Sequence, residues 1–77
     1  MKVNILFFGV LTDIVKSNTM SIEDTPTVKE LLTSLETKFP ALKQYRYLIA
    51  VNQDISSVNQ PLKEGDEVAL LPPYAGG

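Results

Sequence analysis

The sequence predicts an α+β fold, a mixed sheet of four to five strands with one main helix packed on one face. Three observations carry this. Segments rich in β-branched and aromatic residues stand at both ends of the chain and again near residue 50. A single strong helical stripe lies between them. The order is two strands, a helix, then two or three strands.

The first strand is Lys2-Val3-Asn4-Ile5-Leu6-Phe7-Phe8, stopped by Gly9. Val10 to Lys16 mixes apolar residues with Thr12 and Asp13 and reads as a short helical turn. A second strand covers Thr19 to Ile22, and Glu23-Asp24-Thr25-Pro26 is a loop, because Pro26 disfavours helix at the residue before it. The helix opens at Thr27, with Glu30 three residues on as a capping box. Val28, Leu31, Leu32, Leu35 and Phe39 form one apolar stripe, and Pro40 ends the ladder. After an irregular stretch through Tyr45, Tyr47 to Val51 reads as a buried strand turning at Asn52-Gln53-Asp54, with a short segment around Ile55 pairing back. Pro61 to Asp66 supplies a turn whose Gly65 can take positive φ, and Glu67 to Leu71 is the last strand. This is the element order of the β-grasp (ubiquitin-like) fold, in which the first and last strands can lie parallel at the sheet centre. The domain is expected over residues 1–71, with a flexible tail over 72–77.

Composition removes several functions. The chain has 77 residues, 44% apolar and 21% charged, which fits one globular domain. Seven basic and nine acidic residues give a net charge of −2 without a basic cluster, so nucleic acid is not an expected partner. No apolar run reaches the ~20 residues of a membrane span, and Met1-Lys2 leads straight into a strand, so the expectation is a cytoplasmic protein. With no Cys and no His, thiol nucleophiles, imidazole bases and thiolate or imidazole zinc sites are absent. No cofactor or metal is expected on this chain.

Three strands carry apolar residues on both faces: Ile5 to Phe8, Leu48 to Val51 and Val68 to Leu71. One helix covers one face, which leaves an apolar patch on the other. Phe7 or Phe8, and Leu70 or Leu71, are therefore candidate partner-docking residues. Alternatively, the segments Val10 to Lys16 and Lys43 to Tyr47 fold over that second face.

Past the last strand, Pro72-Pro73 cannot extend a ladder and favours an extended geometry leading away from the body. Residues 72–77 reach at most about 20 Å. Gly76 and Gly77 carry no side chains, so a narrow channel can close around them. A Gly-Gly ending is also what a frayed terminus looks like. Its weight here comes from following a final strand and a Pro-Pro spacer on a domain without reactive side chains.

Leu6-Phe7-Phe8-Gly9, Thr27-Val28-Lys29-Glu30-Leu31, Ala50-Val51-Asn52-Gln53, Leu62-Lys63-Glu64-Gly65-Asp66-Glu67-Val68-Ala69 and Leu71-Pro72-Pro73-Tyr74-Ala75-Gly76-Gly77 resemble the small, sulfur-carrying subunits of molybdopterin synthases, within the ubiquitin-like sulfur carriers. The resemblance covers the full length. It implies that an ATP-using adenylating enzyme activates Gly77 and that a sulfurylating system converts it to a thiocarboxylate. The tail, with Phe7, Phe8, Leu70, Leu71, Pro72, Pro73, Tyr74, Ala75 and Gly76 in the interface, then enters the large subunit and donates dithiolene sulfur to the molybdopterin precursor. The implied assembly is a heterotetramer of two large and two small subunits. Leu71 and Tyr74 depart slightly from the family pattern, which often has an aromatic before Pro-Pro and a small or branched residue after it.

Glu64, Asp66 and Glu67 read as solvated charges that set turn geometry. Lys16, Lys29, Lys38, Lys43, Arg46 and Lys63 read as surface charges, some available for steering toward a partner. Competing readings are a thiamine-pathway sulfur carrier, a ubiquitin-like modifier that joins Gly77 to target lysines, and a simple protein-binding domain.

Overall fold

The computed structural model describes residues 1–72. The expectations for Pro73, Tyr74, Ala75, Gly76 and Gly77 lie outside the described residues. Strand β1 (Lys2–Phe7), helix α1 (Val10–Val15), β2 (Thr19–Glu23), α2 (Val28–Lys38), β3 (Leu48–Val51), β4 (Asp54–Ile55) and β5 (Glu67–Leu71) follow in order, with a 3₁₀ turn at Pro40–Gln44. The expected mixed sheet has five strands in the order β2-β1-β5-β3-β4. β1 and β5 are parallel neighbours, with Ile5 opposite Val68 and Phe7 opposite Leu70, and the other pairs are antiparallel. Among the described residues no helix is long and apolar enough to cross a membrane.

Helix α2 forms where the capping pair and stripe place it. The Glu30 amide donates to Thr27 Oγ1 at 3.4 Å, while the Thr27 hydroxyl donates back to Glu30 Oε1 at 2.9 Å. In the usual capping box the Glu side chain reaches the cap's backbone N–H, whereas here it takes the hydroxyl proton. The amides of Val28 and Lys29, which have no partner inside the helix, donate to the carbonyls of Gln60 at 3.0 Å and Val58 at 2.9 Å. The helix start thereby pins the loop that leads to β5.

The core lies between α2 and one face of the sheet. Val28, Leu31 and Leu35 of the helix meet Val3, Ile5 and Phe7 of β1, Ile49 and Val51 of β3, and Val68 and Leu70 of β5. Leu11 and Val15 of α1 and Leu42 of the 3₁₀ turn join the same cluster. Val10 to Lys16 therefore packs on the helix side, and Tyr47, at the end of the segment Lys43 to Tyr47, packs against the same cluster, so the structure does not show these segments covering the second face.

The hairpin between β3 and β4 turns on Asn52 and Gln53, with φ of +50° and +75°, the pattern of a two-residue type I′ turn. Asp66 departs from expectation, because it is only 7% exposed. It serves the turn as a buried acceptor, with the Lys63 amide on Oδ2 at 2.8 Å and the Asn52 side-chain amide on Oδ1 at 3.0 Å. Those hydrogen bonds, Asn52's the larger influence, hold its carboxyl below the usual range. Glu64 accepts from the Lys2 amide at 2.8 Å and ties the same turn to the start of β1.

Candidate functional site

The outer sheet face and the point where the chain leaves β5 are adjacent. Alternation along β1 sends Val3, Ile5 and Phe7 inward and Lys2, Asn4, Leu6 and Phe8 outward. In β5, Val68 and Leu70 go inward and Glu67, Ala69 and Leu71 outward. The register then places Leu6 beside Ala69, Ala69 beside Ala50, Ala50 beside Ile55, and Leu71 beside Leu48. One step on from the Phe7–Leu70 pair, Phe8 comes alongside Leu71.

The result is an apolar band across four strands on the face away from α2, interrupted at Ala50, which is only 5% exposed. Phe8 keeps 43% exposure, Leu48 44% and Ile55 68%, while Leu6, Ala69 and Leu71 are half-buried by one another. Asn4, Ser21 and Glu67 form a polar border on the side remote from Leu71. Exposed apolar residues gathered on one sheet face with a polar border make the kind of surface that protein partners, membranes or ligands cover.

Burial separates the members of each pair of candidates. Phe8 and Leu71 are on the accessible face. Phe7, 2% exposed, and Leu70, fully buried, are core residues and leave the docking set, because their side chains pack under α2. Leu48 and Ile55 belong to the band but were not singled out by sequence reasoning. The signal that finds them is parity. Asn52 is polar and exposed, so Ala50 and Leu48 share its face, and Ile55 follows as the partner of Ala50.

At the tail end of the band, Pro72 is half-buried against the turn that joins β1 to α1. Gly9 occupies that turn with φ +60° and ψ −138°, a conformation that L side chains rarely adopt. The Phe8 amide donates to the Leu70 carbonyl at 3.2 Å, so the turn is tied to β5 just before the tail begins. A shallow hollow of about 430 Å³ opens beside it, lined in part by Leu6, Phe8, Thr12 and Thr19. On the opposite flank of β5, Tyr47 donates its hydroxyl to Glu36 Oε2, which anchors the start of β3 to α2. Burial first, and then the Glu36 hydrogen bond and charge, push the Tyr47 phenol well above its ordinary value.

The model of the ThiS family matches residues 5–77. The chain belongs to the ThiS family. This ThiS-family chain is 36% identical to the molybdopterin synthase sulfur carrier subunit of Mycobacterium tuberculosis, over 99% of its own length and 98% of the relative's. A chain in the complex of subunits 1 and 2 of the molybdopterin-converting factor from Helicobacter pylori is 34% identical, with TM-score 0.73 and full coverage of both chains. The small archaeal modifier protein 1 of Methanosarcina acetivorans superposes with TM-score 0.84 at 24% identity, over 99% of this chain and 96% of that one. That last likeness shows the fold, which is the ubiquitin-like β-grasp that the element order predicts.

Proposed function

We propose that this chain is the sulfur-carrier subunit of a molybdopterin synthase and that the carboxyl group of Gly77 is its working group. The observation that carries the reading is the match along the whole chain to sulfur-carrier subunits, in a sequence without Cys or His. Chemistry is thereby left to the terminus and to groups supplied by partners.

The Gly77 carboxylate attacks the α-phosphorus of ATP on an adenylating enzyme, and pyrophosphate departs. A sulfur nucleophile then attacks the acyl carbon of the mixed anhydride, and AMP leaves with the bond electrons. With hydrosulfide as that nucleophile, loss of the S–H proton leaves the thiocarboxylate. In the synthase that sulfur attacks a carbon of the molybdopterin precursor, a carbon–oxygen bond there breaks and the oxygen leaves, and hydrolysis of the resulting thioester restores the Gly77 carboxylate and leaves the sulfur on the product. A dithiolene needs two sulfur atoms, so two charged chains serve each product molecule, consistent with two large and two small subunits.

The outer band of Phe8, Leu48, Ile55, Ala69 and Leu71 supports the docking half of this reading. It is apolar, and it lies next to the strand end from which the tail departs. The large subunit is its proposed occupant. Curated relatives named for molybdopterin synthase match at 30–36% identity, which favours this pathway over the thiamine pathway.

Reconstitution tests the proposal. The chain bearing a Gly77 thiocarboxylate, mixed with the large subunit and precursor, should yield dithiolene product as the thiocarboxylate is consumed. Removal of Gly76 and Gly77 should abolish it. Product formed equally well without those two glycines contradicts the proposal.

A further inference from the structure

The turn between β1 and α1 presents bare backbone to the Pro72 ring. A Cβ built on Gly9 would lie 2.8 Å from Pro72 Cγ and 3.7 Å from Pro72 Cδ, so the ring occupies the space that any L side chain at position 9 would take. The shelf beneath the ring is held from both sides. The Gly9 carbonyl accepts from the Thr12 amide at 3.1 Å and from the Thr12 hydroxyl at 2.8 Å, and the Phe8 carbonyl accepts from the Leu11 amide at 3.2 Å. The Phe8 amide donates to Leu70, two residues before Pro72.

We propose that Gly9 is a positioning residue for sulfur transfer, because its missing side chain seats the Pro72 ring and so sets the direction in which the chain leaves the domain. The inference rests on the function proposed above and adds a determinant within the body of the domain. Its consequence is one of leverage. Five residues can span at most about 17 Å, so a change of about 20° in the exit direction at Pro72 can displace the terminus by up to roughly 6 Å. Misplacement of reacting atoms by even about 1 Å can cost on the order of a hundredfold in rate. A seated Pro72 also restricts the directions open to the following residues, which raises the fraction of molecules aimed at the partner's channel.

The test is a double-mutant cycle on the full chain carrying a Gly77 thiocarboxylate, with Gly9→Ala and Pro72→Ala, read by single-turnover sulfur transfer and by affinity for the large subunit. Gly9→Ala should slow transfer by about tenfold or more while the Kd changes less than about threefold, and its effect should be several-fold smaller in the Pro72→Ala background, where only the strain of the positive φ remains. An equal Gly9→Ala effect in both backgrounds, or a loss that appears wholly in Kd, overturns the inference. If Gly9→Ala does not fold, Pro72→Ala alone decides, since it should slow transfer several-fold at unchanged Kd, and full-rate transfer overturns the seat. The seat is also read without any sulfur chemistry, as a nuclear Overhauser contact between the Gly9 Hα and Pro72 Hγ protons of the free wild-type chain. That contact present in a wild-type chain that transfers no sulfur refutes the proposed function, whereas its absence refutes the seat.

Discussion

Asn52 and Asp66 join the two turns at the end of the sheet opposite the tail. The Asn52 side-chain amide donates to Asp66 Oδ1 at 3.0 Å, and Asn52 Oδ1 accepts from the Glu67 amide at 3.0 Å. The Asn52 backbone amide also donates to the Glu67 carbonyl at 2.7 Å. One residue thus fixes the β3–β4 hairpin against the start of β5. Its φ of +50° suits Asn, which tolerates the left-handed region better than most residues.

Replacing Asn52 with Ala removes both side-chain bonds and leaves the buried Asp66 carboxylate one donor short. Urea unfolding of Asn52→Ala should show a loss of about 1–3 kcal/mol. A midpoint equal to that of the wild type would mean that the two turns are not coupled through this side chain.

Asp66 also predicts the acid limb of stability. Its native pKa is lowered, so its contribution is fully present above the unfolded value of about 3.9 and is lost as pH falls through the lower native value. Stability measured between about pH 6 and pH 2 should fall less steeply in Asp66→Asn than in the wild type, starting from a lower plateau. Parallel profiles would assign the acid limb to other carboxylates.

Tyr47 makes the opposite prediction at high pH. Its phenol is raised by burial and by Glu36, so its contribution holds below the unfolded value of about 10 and is lost only as pH rises through the higher native value. In an absorbance titration, one of the three tyrosines should remain un-ionised at about pH 11 while the fold persists, and Tyr47→Phe should remove that late phase. Ionisation of all three together near pH 10 would contradict the buried Tyr47–Glu36 contact.

The two faces of the sheet should separate docking from folding. Leu48→Lys, on the outer band, should weaken the complex with the large subunit by about 2 kcal/mol or more and change stability little. Leu70→Ala, in the core, should cost about 2–5 kcal/mol of stability. Equal effects of the two on folding would dissolve the distinction between the faces.

The sequence made some of this legible and hid the rest for identifiable reasons. Helix α2 was readable because Thr27, Glu30 and the Val28-Leu31-Leu35 stripe agree on one register. Element order allowed the parallel β1–β5 pair without fixing it. Which side of each apolar strand faced the helix was hard to read, since Ile5 to Phe8 and Val68 to Leu71 are apolar throughout. The parity was nonetheless present at the strand starts, where exposed Lys2 and Asn4 and half-buried Glu67 mark the outer face and so put Phe7 and Leu70 inside. The burial of Asp66 was not legible, because it depends on Asn52, 14 residues away in the chain. The contact of Gly9 with Pro72 was hidden for the same reason, as it joins the end of β1 to the end of β5.

The central claim concerns the carboxyl group of Gly77, and intact-mass spectrometry tests it most directly. The chain is weighed before and after incubation with ATP, the adenylating enzyme and a sulfide source. The account predicts a gain equal to one oxygen-to-sulfur exchange, located by fragmentation at Gly77 and absent when ATP is omitted. An unchanged mass, or conversion into heavier conjugates through lysine isopeptide bonds in place of the thiocarboxylate, would contradict it.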